Sequence, residues 1–378
     1  MSTHTPRIAV IGAGPGGLTC ARILQRYGIP VTVHDRESGP WSRDQGGTLD
    51  LDEDNGQKAL REAGLLDDFF RLSRPEGQEM RQLDTSGRVL FHHVPGAGER
   101  FKPEIDRGTL RRLLLDSLEP GTVRWSRTLR SVEGPAGGPR RLRFADGTVV
   151  EADLVIGADG AWSTVRRALS DATPEYTGTS FLEAWFHDVE NEHPAVAALV
   201  GPGSAAAADG ERGLFAQRNS DDHIRVYVIQ RVPADWITAA GLAVEDTAAI
   251  RSLLLERYRD WAPDLRRLFT DNDGRYVDRP IHALPVPHTW DHDPAVTLLG
   301  DAAHLMPPLG VGVNLAMLDA FELALALARH DTVGEAVRAY EGTMLPRSAR
   351  MQHLLDHGAE ELVSDELPDF AQEGMAAR

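Results

Sequence analysis

The chain has 378 residues, of which 42% are hydrophobic and 26% are charged, a composition typical of globular proteins and not of disordered ones. This length predicts two domains, or one large domain with an insert. A formal net charge of −17 argues against a nucleic-acid partner, because an acidic surface repels phosphate backbones.

The first predicted elements form a βαβ unit at the N-terminus. Residues 7–11 form a short apolar strand, 18–27 carry apolar residues at helical spacing, and 31–33 form a second strand. The predicted helix contains Cys20, the chain's one cysteine, which cannot cross-link the fold by itself. We therefore expect a reducing, cytoplasmic compartment.

A glycine-rich turn joins the first strand to the helix and matches the pattern GxGxxG at Gly12, Gly14 and Gly17. These glycines permit a tight turn, close approach of a pyrophosphate and close packing of the helix on the strand. Asp35 ends the second strand, where a carboxylate accepts hydrogen bonds from an adenosine ribose and repels a 2′-phosphate. The tightly bound nucleotide is therefore expected to be FAD or NAD; the alternative is a purely structural glycine turn.

Helices and short strands are predicted between this unit and residue 175. A hairpin is indicated by Asp146-Gly147, which separates two alternating stretches. A buried strand at 154–156 runs into Gly157-Ala158-Asp159-Gly160, and a helix through Arg166 is predicted to follow. The remaining predictions are a loop at 36–57 and helices at 56–72 and 109–118.

Residues 176–285 have a different pattern. Alternating stretches at 181–189, 214–217 and 224–229 predict a second, mostly antiparallel sheet, followed by a helix at 247–258. The alanine run 205–208 is interpreted as a turn or loop.

The βαβ pattern returns with a buried strand at 296–299 that leads into Gly300-Asp301. Asp301 can accept a hydrogen bond from a ribityl hydroxyl, and the helix that follows offers N–H groups near Gly312 and Asn314 to the N1/C2 carbonyl side of a flavin. The apolar stretch 315–328 is too short and too charged to predict a membrane span.

We therefore predict an α/β fold in which one domain is inserted into another. A Rossmann-like domain spans 1–175 and 286–330, and an inserted, mostly antiparallel β-sheet domain spans 176–285; the resemblance described next implies that the first is the FAD-binding domain and the second the substrate-binding domain. A C-terminal helix and tail occupy 331–378, with helical residues expected at about 316–330 and 333–360.

Several stretches resemble the FAD motifs of the FAD-dependent aromatic hydroxylases, which have the para-hydroxybenzoate hydroxylase fold. Within that family the chain is most similar to the tetracycline-inactivating flavin monooxygenases. The resemblance rests on the GxGxxG turn, on the Gly-Ala-Asp-Gly segment at 157–160, and on residues 46–51, 103–107 and 300–308.

The resemblance implies a role for individual residues. Arg43 matches a position associated with NADPH; the alternative is a solvated charge in a loop. Arg107 matches an FAD contact near the flavin ring; the alternative is a surface residue at a helix N-terminus. Leu129 is expected to contact adenine through its backbone. The other implied FAD contacts are Asp35, Arg36, Asp50, Asp159, Asp301, Pro308, Gly310, Gly312 and Asn314.

The chain departs from the family in two places. The 309–312 loop is one residue shorter than usual and lacks a glutamine, so the flavin contacts there are expected to be shifted or weakened. Glu183, Ser204 and Arg225 stand where the tetracycline enzymes carry Gln, Arg and His, which argues for a different substrate or pose. An alternative is that Glu183 and Arg225 form an outward-facing pair. The implied substrate residues also include Phe215, Pro308 and Leu309.

The implied activity is that of an FAD-dependent, NADPH-consuming monooxygenase. It would use O₂, through a flavin C4a-hydroperoxide, to hydroxylate a tetracycline-like or other polycyclic aromatic compound, as in antibiotic resistance. Two alternatives remain: a biosynthetic aromatic polyketide hydroxylase, or a non-catalytic flavin- or drug-binding protein. This chemistry needs no protein nucleophile or metal, the histidines show no metal-ligand spacing, and we expect a monomer.

Overall fold

The computed structural model describes residues 5–42 and 45–355, which divide into two units. The first unit contains residues 5–73, Arg107–Glu175 and Ala283–Leu355, and the second contains Arg74–Asp106 and Tyr176–His282.

The strands are β1 (Ile8–Ile11), β2 (Val31–His34), β3 (Thr48–Asp50), β4 (Met80–Leu83), β5 (Val89–His93), β6 (Glu104–Asp106), β7 (Val123–Arg124), β8 (Leu129–Glu133), β9 (Arg140–Phe144), β10 (Val149–Ala152), β11 (Leu154–Gly157), β12 (Glu175–Phe186), β13 (Ser204–Ala208), β14 (Arg212–Arg218), β15 (Ile224–Arg231), β16 (Val277–Ala283) and β17 (Val296–Leu298). The α-helices are α1 (Pro15–Arg26), α2 (Gly56–Ala63), α3 (Leu66–Leu72), α4 (Arg107–Asp116), α5 (Val189–Glu192), α6 (Pro194–Val200), α7 (Trp236–Ala239), α8 (Thr247–Arg257), α9 (Pro263–Thr270), α10 (Asp301–His304), α11 (Gly312–Arg329) and α12 (Val333–Leu354).

A parallel five-stranded sheet, in the order β17-β11-β1-β2-β7, forms the centre of the first unit. Its inner strands are buried on both faces, which explains their continuous apolar sequences. Because β1, β11 and β17 are adjacent and parallel, the segments that follow them leave the same edge of the sheet. That edge therefore brings together the three motif segments that begin at Gly12, Ala158 and Gly300.

The helices of the first unit support this edge. α1 packs against both α11 and α2. The single helix predicted over 56–72 is two helices, because Gly64 caps α2 in the left-handed conformation with φ +71°. None of the helices within residues 5–42 and 45–355 is long and apolar enough to cross a membrane.

The second unit is built on a seven-stranded sheet in the order β16-β12-β15-β14-β13-β4-β5. The side chains of one face, including Leu182, Leu214 and Val226, pack with α6, α8 and α9 into an apolar core. All described pairings in this sheet are antiparallel except that between β13 and β4, which is parallel.

Two predictions about this sheet were wrong. Residues 74–106 were assigned to the FAD-binding domain, but β4 and β5 extend the sheet of the second unit because β4 pairs with β13. The alanine run 205–208 is part of β13 and not a turn, because Ala205 and Ala207 pack into the apolar core between two neighbouring strands.

Three smaller differences concern element boundaries. The loop predicted over 36–57 contains the short strand β3. The helix predicted through Arg166 is only a 3₁₀ turn at Arg166–Ala168, because the preceding residues fold around the Asp159 side chain. The last predicted helix is α12, and the remainder of 331–378 beyond residue 355 lies outside the described residues.

Candidate functional site

The glycine-rich turn has the geometry that its sequence predicts. Gly12 adopts φ +111°, which favours glycine, and a Cβ placed on Gly17 would lie 2.1 Å from the carbonyl oxygen of Gly12. In contrast, a Cβ on Gly14 would meet no atom of the described residues within 4 Å. The turn therefore packs tightly at Gly12 and Gly17, and leaves space beside Gly14.

The N-terminus of α1 is a suitable anion site. Gly14 occupies the N-cap position without a side-chain cap, and the first turn carries no acidic residue. The first backbone N–H groups of a helix have no partner within the helix, and the helix dipole favours negative charge there. A diphosphate at this position would meet free donors.

Asp35 is held against the glycine-rich turn. Its carboxylate accepts hydrogen bonds from the backbone N–H groups of Ala13, at 2.6 Å, and Glu37, at 2.7 Å. An ionised carboxylate has about four acceptor positions, so Asp35 retains capacity for ribose hydroxyls. Arg36, the next residue, is exposed.

Arg111 supports the same turn, a role that the sequence analysis did not predict. Its buried guanidinium donates to the carbonyl oxygens of Ala13 (3.1 Å) and Pro40 (2.6 Å) and to Glu37 Oε2 (2.8 Å). It lies one helical turn after Arg107, and this i,i+4 spacing on α4 was the signal that could have identified it.

Arg107, Asp50 and Leu129 lie in the first unit with the glycine-rich turn. Arg107 is the exposed first residue of α4, and its backbone N–H donates to the carbonyl oxygen of Gly47 at 3.0 Å. Leu129 is buried at the start of β8, opposite Phe144. Arg43 lies outside the described residues, so its predicted role remains a prediction.

Asp159 organises its own loop. The carboxylate accepts hydrogen bonds from Ser163 Oγ at 2.5 Å and from the backbone N–H groups of Thr164 and Val165. Burial raises the pKa of Asp159, although these three hydrogen bonds oppose the shift. Three of the acceptor positions of this carboxylate are used within the loop, and its predicted contact with a cofactor remains a prediction.

Arg166 joins the loop of Asp159 to the motif that begins at Gly300. Its buried side chain donates to the carbonyl oxygens of Ala161 at 2.7 Å, Ala172 at 3.1 Å and Ala302 at 3.1 Å. Two motif segments that are distant in sequence are thereby fixed relative to one another.

Asp301 is an exposed carboxylate at the start of α10. Within the described part of the chain its side chain has no hydrogen-bond partner, in contrast to Asp35 and Asp159. It therefore remains available as an acceptor at the same sheet edge as the glycine-rich turn.

The N-terminus of α11 is another helix end at this edge that no side chain caps. The N–H groups of Gly312, Val313 and Asn314 precede the first intrahelical hydrogen bond, from Leu315 to Val311. Pro308 and Gly312 are exposed, and Gly310 adopts φ +84° in the short loop before the helix.

The side chain of Asn314 is engaged within the protein. Its Oδ1 accepts from the backbone N–H groups of Asp52 at 3.0 Å and Gly56 at 3.2 Å, and its Nδ2 donates to the carbonyl oxygen of Asp50 at 2.9 Å. Asn314 can therefore contribute its backbone N–H to a cofactor, whereas its amide holds the chain after β3 against α11.

In the second unit, four predicted substrate residues lie on one face of the seven-stranded sheet, opposite the apolar core. One cross-strand row contains Trp185, Arg225, Gln217 and Ser204 on consecutive strands. The adjacent row contains Glu183, Tyr227, Phe215 and Ala206.

Aromatic rings occupy the middle of this face. Tyr227 lies between Phe181, with ring centroids 5.6 Å apart, and Phe215, with ring centroids 6.3 Å apart and nearly parallel planes. Ile229 and Ile281 complete this group, which we call the aromatic patch.

The charged residues of this face do not form the outward pair considered above. Glu183 Oε1 accepts from Arg279 Nε at 2.6 Å, and the guanidinium carbon of Arg225 lies 3.6 Å from the ring centroid of Trp185. Glu183 and Arg225 are 3% and 4% exposed, respectively, so neither is a solvated surface charge. The partners Arg279 and Trp185 were not found from the sequence.

Pro308 and Leu309, the other predicted substrate residues, belong to the first unit. Among the described residues, no group of three or more histidine, cysteine, aspartate or glutamate side chains could hold a metal ion.

Comparison with known proteins identifies the family. The model of the family described as "FAD binding domain" matches residues 5–352. This chain belongs to the FAD-dependent aromatic hydroxylases. It is an FAD-dependent aromatic monooxygenase, and the alternative of a non-catalytic flavin- or drug-binding protein is not retained.

Named relatives agree with this membership. The chain is 30% identical to monooxygenase penA of Penicillium thymicola, over 93% of this chain and 94% of the relative. It is 32% identical to 3-amino-4-hydroxybenzoate 2-monooxygenase PtnB3 of Streptomyces platensis, over 92% and 86%. The solved structure of tetracycline destructase Tet(55) has a TM-score of 0.74 at 21% identity, covering 99% and 96%, and this likeness concerns the fold alone.

The residues of the first unit fit FAD. The space beside Gly14 and the uncapped N-terminus of α1 suit a diphosphate, and Asp35 retains acceptor capacity for a ribose. Asp301 and the N-terminus of α11 supply an acceptor and a set of free donors at the same sheet edge.

Proposed function

We propose that this monooxygenase uses NADPH and O₂ to hydroxylate a tetracycline-like or other polycyclic aromatic compound. The aromatic patch carries the proposal, because the half-buried rings of Phe215 and Tyr227, packed on the buried Phe181, lie on the side of the sheet that does not form the apolar core. Aromatic rings stack favourably in offset geometry, so a flat fused-ring compound suits this surface.

FAD, when bound and reduced, supplies the activation of O₂ and the transfer of one oxygen atom to the substrate. We assign the diphosphate to the N-terminus of α1, the adenosine ribose to Asp35, and a ribityl hydroxyl to Asp301. The N–H groups of Gly312 and Val313 would hold the N1/C2 carbonyl side of the flavin, where their positive dipole end favours negative charge.

NADPH is proposed to bind only transiently. The chain has one GxGxxG turn, which is assigned to FAD, and Asp35, which follows β2 and accepts a hydrogen bond from Ala13 of that turn, disfavours a 2′-phosphate. The nicotinamide nucleotide therefore needs another surface, to which Arg43 is proposed to contribute. The working assembly is proposed to be a monomer.

A second candidate is a biosynthetic aromatic polyketide hydroxylase with a different substrate. Glu183, Ser204 and Arg225 favour it, because their functional groups differ from those at the matching positions of the tetracycline enzymes. The name of the Streptomyces platensis relative, 3-amino-4-hydroxybenzoate 2-monooxygenase, adds a single-ring aromatic compound to the substrates that need to be tested.

The test measures NADPH oxidation by FAD-loaded protein from the nicotinamide absorbance. The reaction is run with tetracycline, with 3-amino-4-hydroxybenzoate and with no added compound. Faster oxidation together with a product heavier by one oxygen atom identifies the substrate class. Oxidation that no polycyclic or monocyclic aromatic compound accelerates would contradict the proposal.

A further inference from the structure

Glu183 has an unusual environment for a carboxylate. It lies in the second half of β12, three residues before the strand ends at Phe186, and its side chain is 4% exposed. Oε1 accepts a hydrogen bond from Arg279 Nε at 2.6 Å, but Oε2 is buried and has no hydrogen-bond partner among the residues that the structure describes. Buried polar atoms are nearly always hydrogen-bonded, so an unsatisfied carboxylate oxygen indicates a site for an external donor.

Glu183, which carries the unsatisfied oxygen, lies on the same face of the seven-stranded sheet as the aromatic patch. Glu183 is directly opposite Tyr227 in the β12–β15 register, and Phe215 is the next residue in the same row. Directly opposite residues of an antiparallel pair have Cβ atoms about 4.5–5.5 Å apart. A ring that stacks on Tyr227 or Phe215 therefore brings its edge substituents within reach of Glu183.

The chemistry of the oxygen determines which substituent it can accept. A carboxylate paired with a guanidinium is negatively charged and can only accept hydrogen bonds. An aromatic O–H or N–H group satisfies it, an ether leaves it unsatisfied, and a carboxylate on the ligand is repelled by it.

We propose that Glu183 is a specificity-determining residue, whose Oε2 accepts a hydrogen bond from a hydroxyl or N–H group of the aromatic substrate and excludes an anionic group from the same position. This inference rests on the proposed function, since it names the substituent that the hydroxylated compound carries.

The experiment uses FAD-loaded protein and three naphthalenes of similar shape: 2-naphthol, 2-methoxynaphthalene and 2-naphthoate. Dissociation constants are measured from the change in flavin absorbance on titration. The wild type is expected to bind 2-naphthol about tenfold more tightly than 2-methoxynaphthalene, because only the naphthol can donate a hydrogen bond to the Glu183 carboxylate. It should bind 2-naphthoate most weakly, because the two carboxylates repel each other.

Glu183→Gln provides the decisive comparison. The amide oxygen can still accept from Arg279, while the buried atom becomes an N–H donor. The preference for 2-naphthol over its ether should fall to near parity, and 2-naphthoate should bind about tenfold more tightly than it does to the wild type. Glu211→Gln removes an exposed carboxylate of the same unit and should leave the order unchanged.

Two results would overturn the inference. One is an unchanged ligand order in Glu183→Gln, with a lower melting temperature only, which would make the Arg279 pair purely structural. The other is a wild type that binds the ether as tightly as the naphthol, or binds none of the three. If the ether still accelerates NADPH oxidation, the proposed function survives and only the role of Glu183 is lost.

Discussion

Nε2 of His304 lies 2.6 Å from Oδ2 of Asp319, and both side chains are buried in the first unit. The same oxygen accepts from the backbone N–H of Gly300 at 2.9 Å, and Oδ1 accepts from Arg347 Nη2 at 2.7 Å. Burial opposes charge on both groups, yet the pKa of His304 is raised by Asp319 and the pKa of Asp319 is lowered by His304 and Arg347. This ion pair fixes the start of the Gly300 motif on α11 and α12.

Replacing Asp319 tests this support. Asp319→Asn should lower the free energy of unfolding by about 3–5 kcal/mol, because it leaves the buried His304 and Arg347 without their compensating charge. Chemical denaturation measures the loss. Glu322→Gln, which removes the more exposed partner of Arg347, serves as the control and should cost clearly less. Equal losses for the two variants would contradict a central role for Asp319.

Asp301 is expected to matter for the cofactor and not for folding. Asp301→Ala should purify with little or no bound flavin and with at most a small fall in the melting temperature of the apoprotein, since its side chain has no hydrogen bond within the described residues and acts on His304 only through its charge. The ratio of flavin to protein absorbance measures this. Asp67→Ala, at the exposed start of α3, is the matched control and should stay loaded. A fully yellow Asp301→Ala protein would refute the assignment.

Gly14 and Gly17 should respond in opposite ways to the same added methyl group. Gly14→Ala has space for its Cβ and an extended backbone with φ −81° and ψ 176°, so the apoprotein should fold normally but bind FAD more weakly. Gly17→Ala places a Cβ 2.1 Å from a carbonyl oxygen, which should destabilise the fold by about 1–3 kcal/mol. Melting temperatures and FAD titrations of both apoproteins separate the two effects. Equal FAD affinity in Gly14→Ala and the wild type would show that the diphosphate binds elsewhere.

We expect His34 to make the free energy of unfolding fall in acid. Burial is the main reason that the pKa of His34 falls to about 4 from a model-peptide value of 6.5. A folded-state pKa below the unfolded one means that the unfolded chain binds the proton more readily. The contribution of His34 is therefore complete above about pH 6.5 and is lost as pH falls towards 4, by about 3 kcal/mol in total.

His34→Phe should remove this pH dependence, since a phenyl ring keeps the contact with Phe144, whose centroid lies 4.9 Å away. Denaturation curves at pH 7 and pH 5 for wild type and variant give the comparison. The exposed His330→Phe should retain the slope of the wild type. A slope in His34→Phe as steep as that of the wild type would contradict this account.

The features that could be predicted from the sequence are those set by local geometry. The GxGxxG turn and the Asp146-Gly147 hairpin depend on residues within a few positions of one another, and both are found where the pattern indicates. The strand at 205–208 was missed because alanine has low β-propensity, and only its neighbours β14 and β4 stabilise it there.

Site contacts that depend on long-range pairing were also missed. Glu183 and Arg279, or Arg166 and Ala302, are distant in the chain, and no local spacing indicates that they meet. In contrast, the predicted substrate residues lie on one face of the sheet. Side chains alternate between the two faces of a strand, so the sequence pattern could predict the shared face of Glu183, Ser204, Phe215 and Arg225.

The pairing of β4 with β13 has a consequence for biosynthesis. A ribosome delivers β4 and β5 long before Ser204, so this hairpin must wait for its neighbour while Val89 and Leu90, half exposed even in the finished fold, remain uncovered. Long-range pairing of this kind slows folding and prolongs exposure to aggregation. Expression yield should therefore respond to chaperone supply and to polar replacements of Val89 and Leu90 on β5.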